Sequence, residues 1–285
     1  MEGSKKILVT GGTGNQGGAV LRALLQKNGA EVYAICRSPQ SEAAQALSEL
    51  GATVLEGDLN DPESYQAHLQ GMDGVFSVQA FNKNTNKEIV QGCALIDAAK
   101  NAGVPHFVYA SVAGADQNTG IPHFESKWEI EQHLKKSGLN HTILRPTSFY
   151  ENLLSPQVKN NIHKGKLIMP LNKETAQQHI SMHDIGMIGA AVLNDPQHFA
   201  NQTLTLASDQ MSMQELNDLF AEVLNQKMKY QKLPGLITRL AMGKDLHKMF
   251  KWMDHNEFTF ADVEKLRDTF GEMTNMKTWI QQNFQ

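Results

Sequence analysis

A run of glycines set directly after a short apolar stretch limits the fold more than any other feature of the chain. Ile7-Leu8-Val9 is followed by Thr10-Gly11-Gly12-Thr13-Gly14-Asn15-Gln16-Gly17-Gly18, and a helical pattern opens at Gln16. Between a strand and a helix, Gly11 permits a tight turn, Gly14 lets backbone approach a pyrophosphate with no Cβ in the way, and Gly17 lets the helix lie close on the strand. The free N–H groups of the first helical turn, at the positive end of the helix dipole, would hold the phosphate charge. A bare glycine turn with no ligand is the alternative.

Downstream, β-rich runs at Lys6–Thr10, Glu31–Cys36, Thr53–Glu56, Gly74–Val78, His106–Ser111 and His141–Arg145 alternate with helical stretches over Gln16–Lys27, Ser41–Leu50, Pro62–Leu69, Thr85–Ala102 and Phe124–Ser137. The alternation predicts an α/β fold, a Rossmann-type doubly wound parallel sheet with helices on both faces. After Pro146 the elements shorten: a loop around His163–Gly165, a run at Gln178–Met182, a helix over Asp184–Leu193, a strand at Thr203–Leu206 and a helix from Ser212. Residues 1–153 are therefore expected to form a dinucleotide-binding domain and 154–285 a smaller C-terminal lobe covering its cleft, with 184–206 returning to the first domain. With 41% hydrophobic and 20% charged residues, the chain can build a sizeable core.

Charge and cysteine content exclude several function classes. Lysine and arginine number 26 against 30 acidic residues, and no basic run stands out, so direct nucleic-acid binding is not expected. Cys36 and Cys93 supply neither a disulfide framework nor a multi-cysteine zinc site, which fits a reducing cytoplasm. Ile185–Leu193, the longest later apolar stretch, is far too short for a membrane span, and Ile7–Val9 is too short for the apolar region of a signal peptide. A cytoplasmic protein with no membrane attachment is expected. His179 and His183 are four residues apart, but no third ligand can be named and no metal is expected. The cluster of Met242, Met249, Phe250, Trp252 and Met253 reads as core or as an adaptable apolar wall.

Where the second strand ends, an NAD-preferring protein usually places an acid against the adenosine ribose. This chain has Cys36-Arg37-Ser38. A guanidinium able to grip a 2′-phosphate, with no carboxylate to repel it, argues for NADP(H) as preferred cofactor with NAD(H) possible. A plain surface arginine is the other reading. Asp58, after the third strand, suits acceptance of a hydrogen bond from the adenine amine, with Leu59 packing nearby, or it caps the following turn. A standard short-chain dehydrogenase has a proton-donating Tyr four residues before a Lys. None of the five tyrosines here does, and His123-Phe124-Glu125-Ser126-Lys127 stands in the expected place. His123 is a candidate acid or a helix-start surface residue. Lys127 is a candidate for the nicotinamide ribose or an exposed neighbour of Glu131, and Ser111 a substrate-orienting serine or a small strand-end residue.

These pieces resemble the NmrA-like family of atypical short-chain dehydrogenases. The matching residues are the Gly11–Gly18 turn, Arg37, Gly57-Asp58, His123-Phe124-x-x-Lys127, and Arg145-Pro146 followed by Phe149-Tyr150-Glu151-Asn152-Leu153-Leu154. The resemblance implies that Gly11, Gly12, Thr13, Gly14, Asn15 and Gln16, with Gly17 behind them, cradle the pyrophosphate, and that Arg37 to Ser41 hold the 2′-phosphate region. Asp58 and Leu59 would flank adenine, while Gln79, Ala80 and Phe81 would follow the cofactor beyond the fourth strand. Lys127 would reach the nicotinamide ribose, and Phe149, Tyr150, Glu151 and Asn152 would close over the nicotinamide end. The segment after Ser38 lacks the further basic residues of some relatives, leaving the 2′-phosphate grip mainly to Arg37. Family members divide between sensors, which pass the redox state of the dinucleotide to a regulatory protein partner, and reductases of small electrophiles such as quinones. The missing tyrosine favours an NADP(H)-responsive redox sensor, with an NADPH-dependent reductase of a small electrophilic substrate as the alternative.

Overall fold

The structure, a computed structural model, describes residues 4–27, 29–80, 84–256 and 258–285; Phe81 lies outside the described residues. Strands β1 (Lys5–Val9), β2 (Ala30–Cys36), β3 (Thr53–Glu56), β4 (Gly74–Ser77), β5 (Phe107–Ala110) and β6 (His141–Pro146) alternate with α1 (Asn15–Gln26), α2 (Glu42–Glu49), α3 (Thr85–Asn101) and α4 (Pro122–Ser137). Next come β7 (Ser148–Phe149), α5 (Pro156–His163), β8 (Lys166–Met169), β9 (Ala176–Ile180), α6 (Met182–Asn194), β10 (Gln202–Leu206), β11 (Asp209–Ser212), α7 (Met213–Val223) and β12 (Lys229–Lys232). Helices α8 (Gly235–Met242), α9 (Lys244–Met253), α10 (Val263–Phe270) and α11 (Met276–Phe284) end the chain.

The main sheet has seven strands in the order β3-β2-β1-β4-β5-β6-β10. Neighbours from β3 through β6 are parallel. This is the doubly wound order, in which the winding reverses between β1 and β4 and leaves a crevice at their carboxyl ends. Thr10 ties that point together: its Oγ1 donates to the Val78 carbonyl at 2.9 Å and accepts from the Val78 N–H at 2.8 Å. The β1, β4 and β5 strands are buried on both faces, hence their unbroken apolar runs. One side of the sheet buries Leu8, Val75, Phe107 and Ile143 against Leu95 and Ile96 of α3 and Ile130 and Leu134 of α4. Elsewhere α1 and α6 approach closely: a Cβ on Gly186 would lie 2.6 Å from the Ala19 carbonyl oxygen.

The expected helix over Pro62–Leu69 is instead two short 3₁₀ turns, Pro62–Ser64 and Gln66–Leu69. Ser64 Oγ donates to the Asp61 carbonyl at 2.6 Å and accepts from the Asp58 N–H, which closes the coil after one turn. Fully buried Tyr65 then pins the break into the core.

The chain divides into two compact units. The first comprises Met1–Asp116, His123–Arg145 and Met182–Leu204; the second comprises Gln117–Pro122, Pro146–Ser181 and Thr205–Gln285. Residues 146–153, placed in the sequence with the sheet domain, cluster with the second unit. Locally, Ser148 and Phe149 pair with His179 and Ile180, and Tyr150 gives its hydroxyl to the Thr274 carbonyl at 3.1 Å. That unit holds a three-stranded β11-β9-β7 sheet and a β12-β8 pair. Its buried aromatics Tyr150, Phe220, Trp279 and Phe284 meet at ring distances of 5.1 to 6.0 Å. Helix α7 begins with a capping box between Ser212 and Glu215, the local signal that starts a helix there.

Candidate functional site

A cleft of 710 Å³ opens in the first unit at the winding reversal. Four strand ends and the loops leading out of them line it: Thr10, Gly11 and Thr13 after β1, Cys36 to Ser38 at β2, Gly57 to Asn60 after β3, and Val78 and Ala80 after β4. Ser41, at the start of α2, closes one side; its Oγ donates to the Ser38 carbonyl and accepts from the Ala44 N–H, so it caps the helix while facing the cleft. Lys87 and Gln91, one turn apart on α3, line the other side.

The glycine turn is built as backbone. Gly11 has φ of +61°, where a side chain would be strained and its Cβ would lie 2.8 Å from Val78 Cγ1. At Gly17 a Cβ would meet the carbonyl oxygens of Thr10 and Gly11 at 2.4 Å, so α1 can approach β1 only with hydrogen there. Gly14 is the N-cap of α1 and offers no side chain to the N–H groups of the first turn. These donors are open to an anion. Two buried carbonyl oxygens in the same region, Gln16 Oε1 and Gln79 Oε1, have no hydrogen-bond partner among the described residues. Orphaned buried acceptors beside an uncapped helix start fit a polar ligand that brings its own donors.

Arg37 is exposed at the cleft, and Asp58 faces it across the β2–β3 edge. The Asn60 backbone N–H, bonded to Asp58 Oδ1 at 3.0 Å, holds the Asp58 carboxyl below its ordinary value; the Asn60 side chain and the charges of Arg37 and Lys87 add to this. Asp58 thus makes the turn-closing bond expected of a local cap while keeping an ionised carboxylate at the cleft. Lys87 is the cation that motif reading missed. It lies between no recognisable markers in the sequence and reaches the cleft only because α3 begins beside the β4 exit.

Around Lys127 the arrangement differs from the reading of an exposed lysine beside Glu131. Its Nζ lies 2.6 Å from Glu88 Oε1, and Ser126 Oγ donates to Glu88 Oε2 at 3.0 Å. The side chain of Lys127 is 13% exposed and that of Glu88 2%. Lys127 is therefore no exposed partner of Glu131, whose carboxylate is taken by Arg145 and by Ser111 Oγ. Ser111, buried and donating to Glu131 at 2.5 Å, belongs to that ion-pair network rather than to an open substrate site. The Lys127 ammonium stands 5.7 Å from the centre of the Tyr109 ring. Tyr109 is fully buried; burial, with Glu88 and Glu131 behind it, pushes its phenol well above the ordinary range. His123 begins α4 half-buried, its ring edge-on to Phe124 at 4.7 Å.

Gly11 to Gly17, Arg37, Ser41, Asp58, Leu59, Gln79 and Ala80 share the first unit with Lys127, whereas Phe149, Tyr150, Glu151 and Asn152 belong to the second. The Tyr150 side chain is core there, fully buried and bonded to Thr274. His179 and His183 do not share a helix face: His179 is buried on β9 and His183 is exposed on α6. Among the described residues no cluster of His, Cys, Asp and Glu could hold a metal ion, and no helix is long and apolar enough to cross a membrane. In the second unit, Met253 is buried with its sulfur 3.3 Å from Gln177 Nε2, Trp252 stacks on Phe260, and Met242 is exposed.

The strand order, glycine turn and switch-point cleft define a Rossmann-type α/β fold. The model of the NmrA-like family matches residues 3–279, and the chain belongs to that family. The NmrA-like family domain-containing oxidoreductase malD of Malbranchea aurantiaca is 29% identical, over 99% of this chain and 98% of that protein. Among solved structures, the triphenylmethane reductase of Citrobacter sp. complexed with NADP(H) superposes with a TM-score of 0.85 at 23% identity, covering 98% of this chain and 99% of that one. The negative transcriptional regulator NmrA in complex with NAD superposes with a TM-score of 0.82 at 18% identity, covering 99% and 95%.

Proposed function

We propose that this chain binds a nicotinamide dinucleotide along the switch-point cleft, NADP(H) in preference to NAD(H), and acts as a redox-responsive regulator. The observation that carries the reading is the cleft itself, with Arg37 where a carboxylate would stand against the adenosine ribose. The uncapped α1 N-terminus and the backbone of Gly11 to Gly17 would take the pyrophosphate, Gln16 and Gln79 would offer their orphaned carbonyl oxygens to ligand donors, and Asp58 and Leu59 would flank adenine. Arg37, with Lys87 across the cleft, would meet the 2′-phosphate. Neighbours of this fold have been captured with NADP(H) and with NAD, so the fold alone does not choose, and the side chains at β2 must. Arg37→Ala is expected to weaken NADPH binding about 10- to 100-fold, as loss of a charge-assisted pair does, and to leave NADH within about 3-fold. Calorimetric titration of both cofactors checks this; equal NADH and NADPH affinity in the wild type would overturn the preference.

The regulatory half rests on the surroundings of Lys127. Its ammonium is engaged by Glu88, and the phenol against it is buried, so no tyrosine acid accompanies the lysine. A dinucleotide held without that acid fits a role in which a protein partner reads the bound state. One observation favours a second reading, a reductase of a small electrophile: a relative matched over 99% of this chain is named an oxidoreductase. A reduced dinucleotide, when bound, supplies hydride, and an acceptor such as a quinone can take the matching proton from water. NADPH oxidation against a panel of quinones, aldehydes and enones separates the two. Turnover above about 1 s⁻¹, within the ordinary enzyme range, would put the reductase first.

A further inference from the structure

At the adenosine end of the cleft a hydrogen-bonded chain runs from α3 to the β3 exit, and each of its links has a direction. Gln91 Nε2 donates to Asn60 Oδ1 at 2.9 Å. Asn60, its carbonyl thus occupied, turns its Nδ2 to Asp58 Oδ1 at 2.6 Å, and its backbone N–H gives the same oxygen a second bond at 3.0 Å. The Asp58 N–H is itself held by Ser64 Oγ at 2.9 Å. The carboxylate is therefore anchored through one oxygen, while Asp58 Oδ2 accepts no hydrogen bond among the described residues. Asp58, Asn60 and Gln91 all line the cleft.

We infer that Asn60 and Gln91 are positioning residues that fix Asp58 as a pure hydrogen-bond acceptor and so make the cleft select a 6-amino purine over a 6-oxo purine. The inference rests on the adenosine-site reading of the cleft. An adenine amine donates to an ionised carboxylate; the 6-oxo group of hypoxanthine has only lone pairs to set against it. The Asn60 backbone N–H, with the Asn60 side chain and the charges of Arg37 and Lys87, holds the Asp58 carboxyl below its ordinary value and favours the acceptor form. Without the Asn60 side chain, or with its carbonyl released by the loss of Gln91, the carboxylate is left to the Asn60 backbone N–H, and the selection should fade.

The test titrates NADPH, NADH and the hypoxanthine counterpart of NADPH into wild type, Asn60→Ala and Gln91→Leu. Wild type is expected to bind NADPH at least about 10-fold tighter than its hypoxanthine counterpart, the scale set by a charge-assisted bond left unmade. Both variants should bring that ratio to within about 3-fold while keeping the NADPH-to-NADH ratio and the thermal midpoint of the wild type, which a general loosening of the loop would not do. Equal binding of the two bases by wild type, or a ratio that persists in both variants, overturns the inference and leaves dinucleotide binding standing. Failure of wild type to bind any of the three overturns the adenosine-site reading and this inference with it.

Discussion

Arg145→Met is expected to cost about 3–5 kcal/mol of folding stability, the scale for removing one partner of a buried ion pair. Arg145 closes a fork on Glu131, with Nε donating to Oε1 at 2.9 Å and Nη2 to Oε2 at 2.6 Å, and sends Nη1 to Asp116 at 2.5 Å. Glu131 is completely buried. Without the guanidinium it keeps the Ser111 hydroxyl and a Lys135 ammonium 3.7 Å away, too little to offset the desolvation of a carboxylate. Against a total stability of about 5–15 kcal/mol, the loss should move the urea midpoint visibly. Arg145→Met with Glu131→Leu should lose less than Arg145→Met alone, because the orphaned charge is gone. A single variant within about 1 kcal/mol of wild type would mean that the network contributes little. The Arg145-Pro146 pair that marks the family resemblance thus serves here as an anchor: the guanidinium fastens the end of β6 where the chain passes from the first compact unit to the second.

What the sequence made legible was whatever depends on neighbours along the chain. The alternation of strands and helices appeared because fully buried parallel strands must be apolar on both faces, and the glycine turn because backbone contacts at Gly11 and Gly17 exclude any Cβ. The helix expected from Ser212 begins there, with Ser212 as its N-cap. Contacts between distant segments left no such trace. Glu88 reads as an ordinary acid in the first turn of α3, yet it is buried and holds Lys127 from 39 residues away. Lys87 and Gln91 are polar residues on a helix face until α3 is set beside the β3 exit. The break between Ser64 and Gln66 depends on side chains folding back on Asp58 and Asp61, which propensity does not register.

Between pH 6.5 and pH 4 the protein is expected to lose several kcal/mol of stability through two buried histidines. His179, enclosed on β9, has its pKa lowered by burial to about 4. His106 is likewise lowered to about 4, burial again leading. Its Nε2 lies 3.1 Å from Thr142 Oγ1, which gives its own proton to the Phe199 carbonyl, so in the neutral ring Nε2 carries the proton. Above pH 6.5 both states of the chain carry neutral imidazoles and stability does not depend on them. As pH falls toward 4, the unfolded chain binds protons that the folded chain refuses, and stability falls; below 4 both states are protonated and the loss is complete. Each histidine accounts for on the order of 3 kcal/mol, from a shift of roughly two and a half pH units. Carboxylates act lower on the scale. Asp254, held below its ordinary value of 3.8 against the cost of burial by the Lys232 ammonium at 2.6 Å, the Asn172 N–H and the Thr175 hydroxyl, gives up its contribution only as pH falls under that value. Urea unfolding at pH 7.5, 6, 5 and 4 measures the slope, and His179→Leu should flatten it by about half without steepening it elsewhere. An unchanged slope in that variant would show that the ring of His179 is not kept neutral by its enclosure beside Tyr150, where its Nε2 has no hydrogen-bond partner among the described residues.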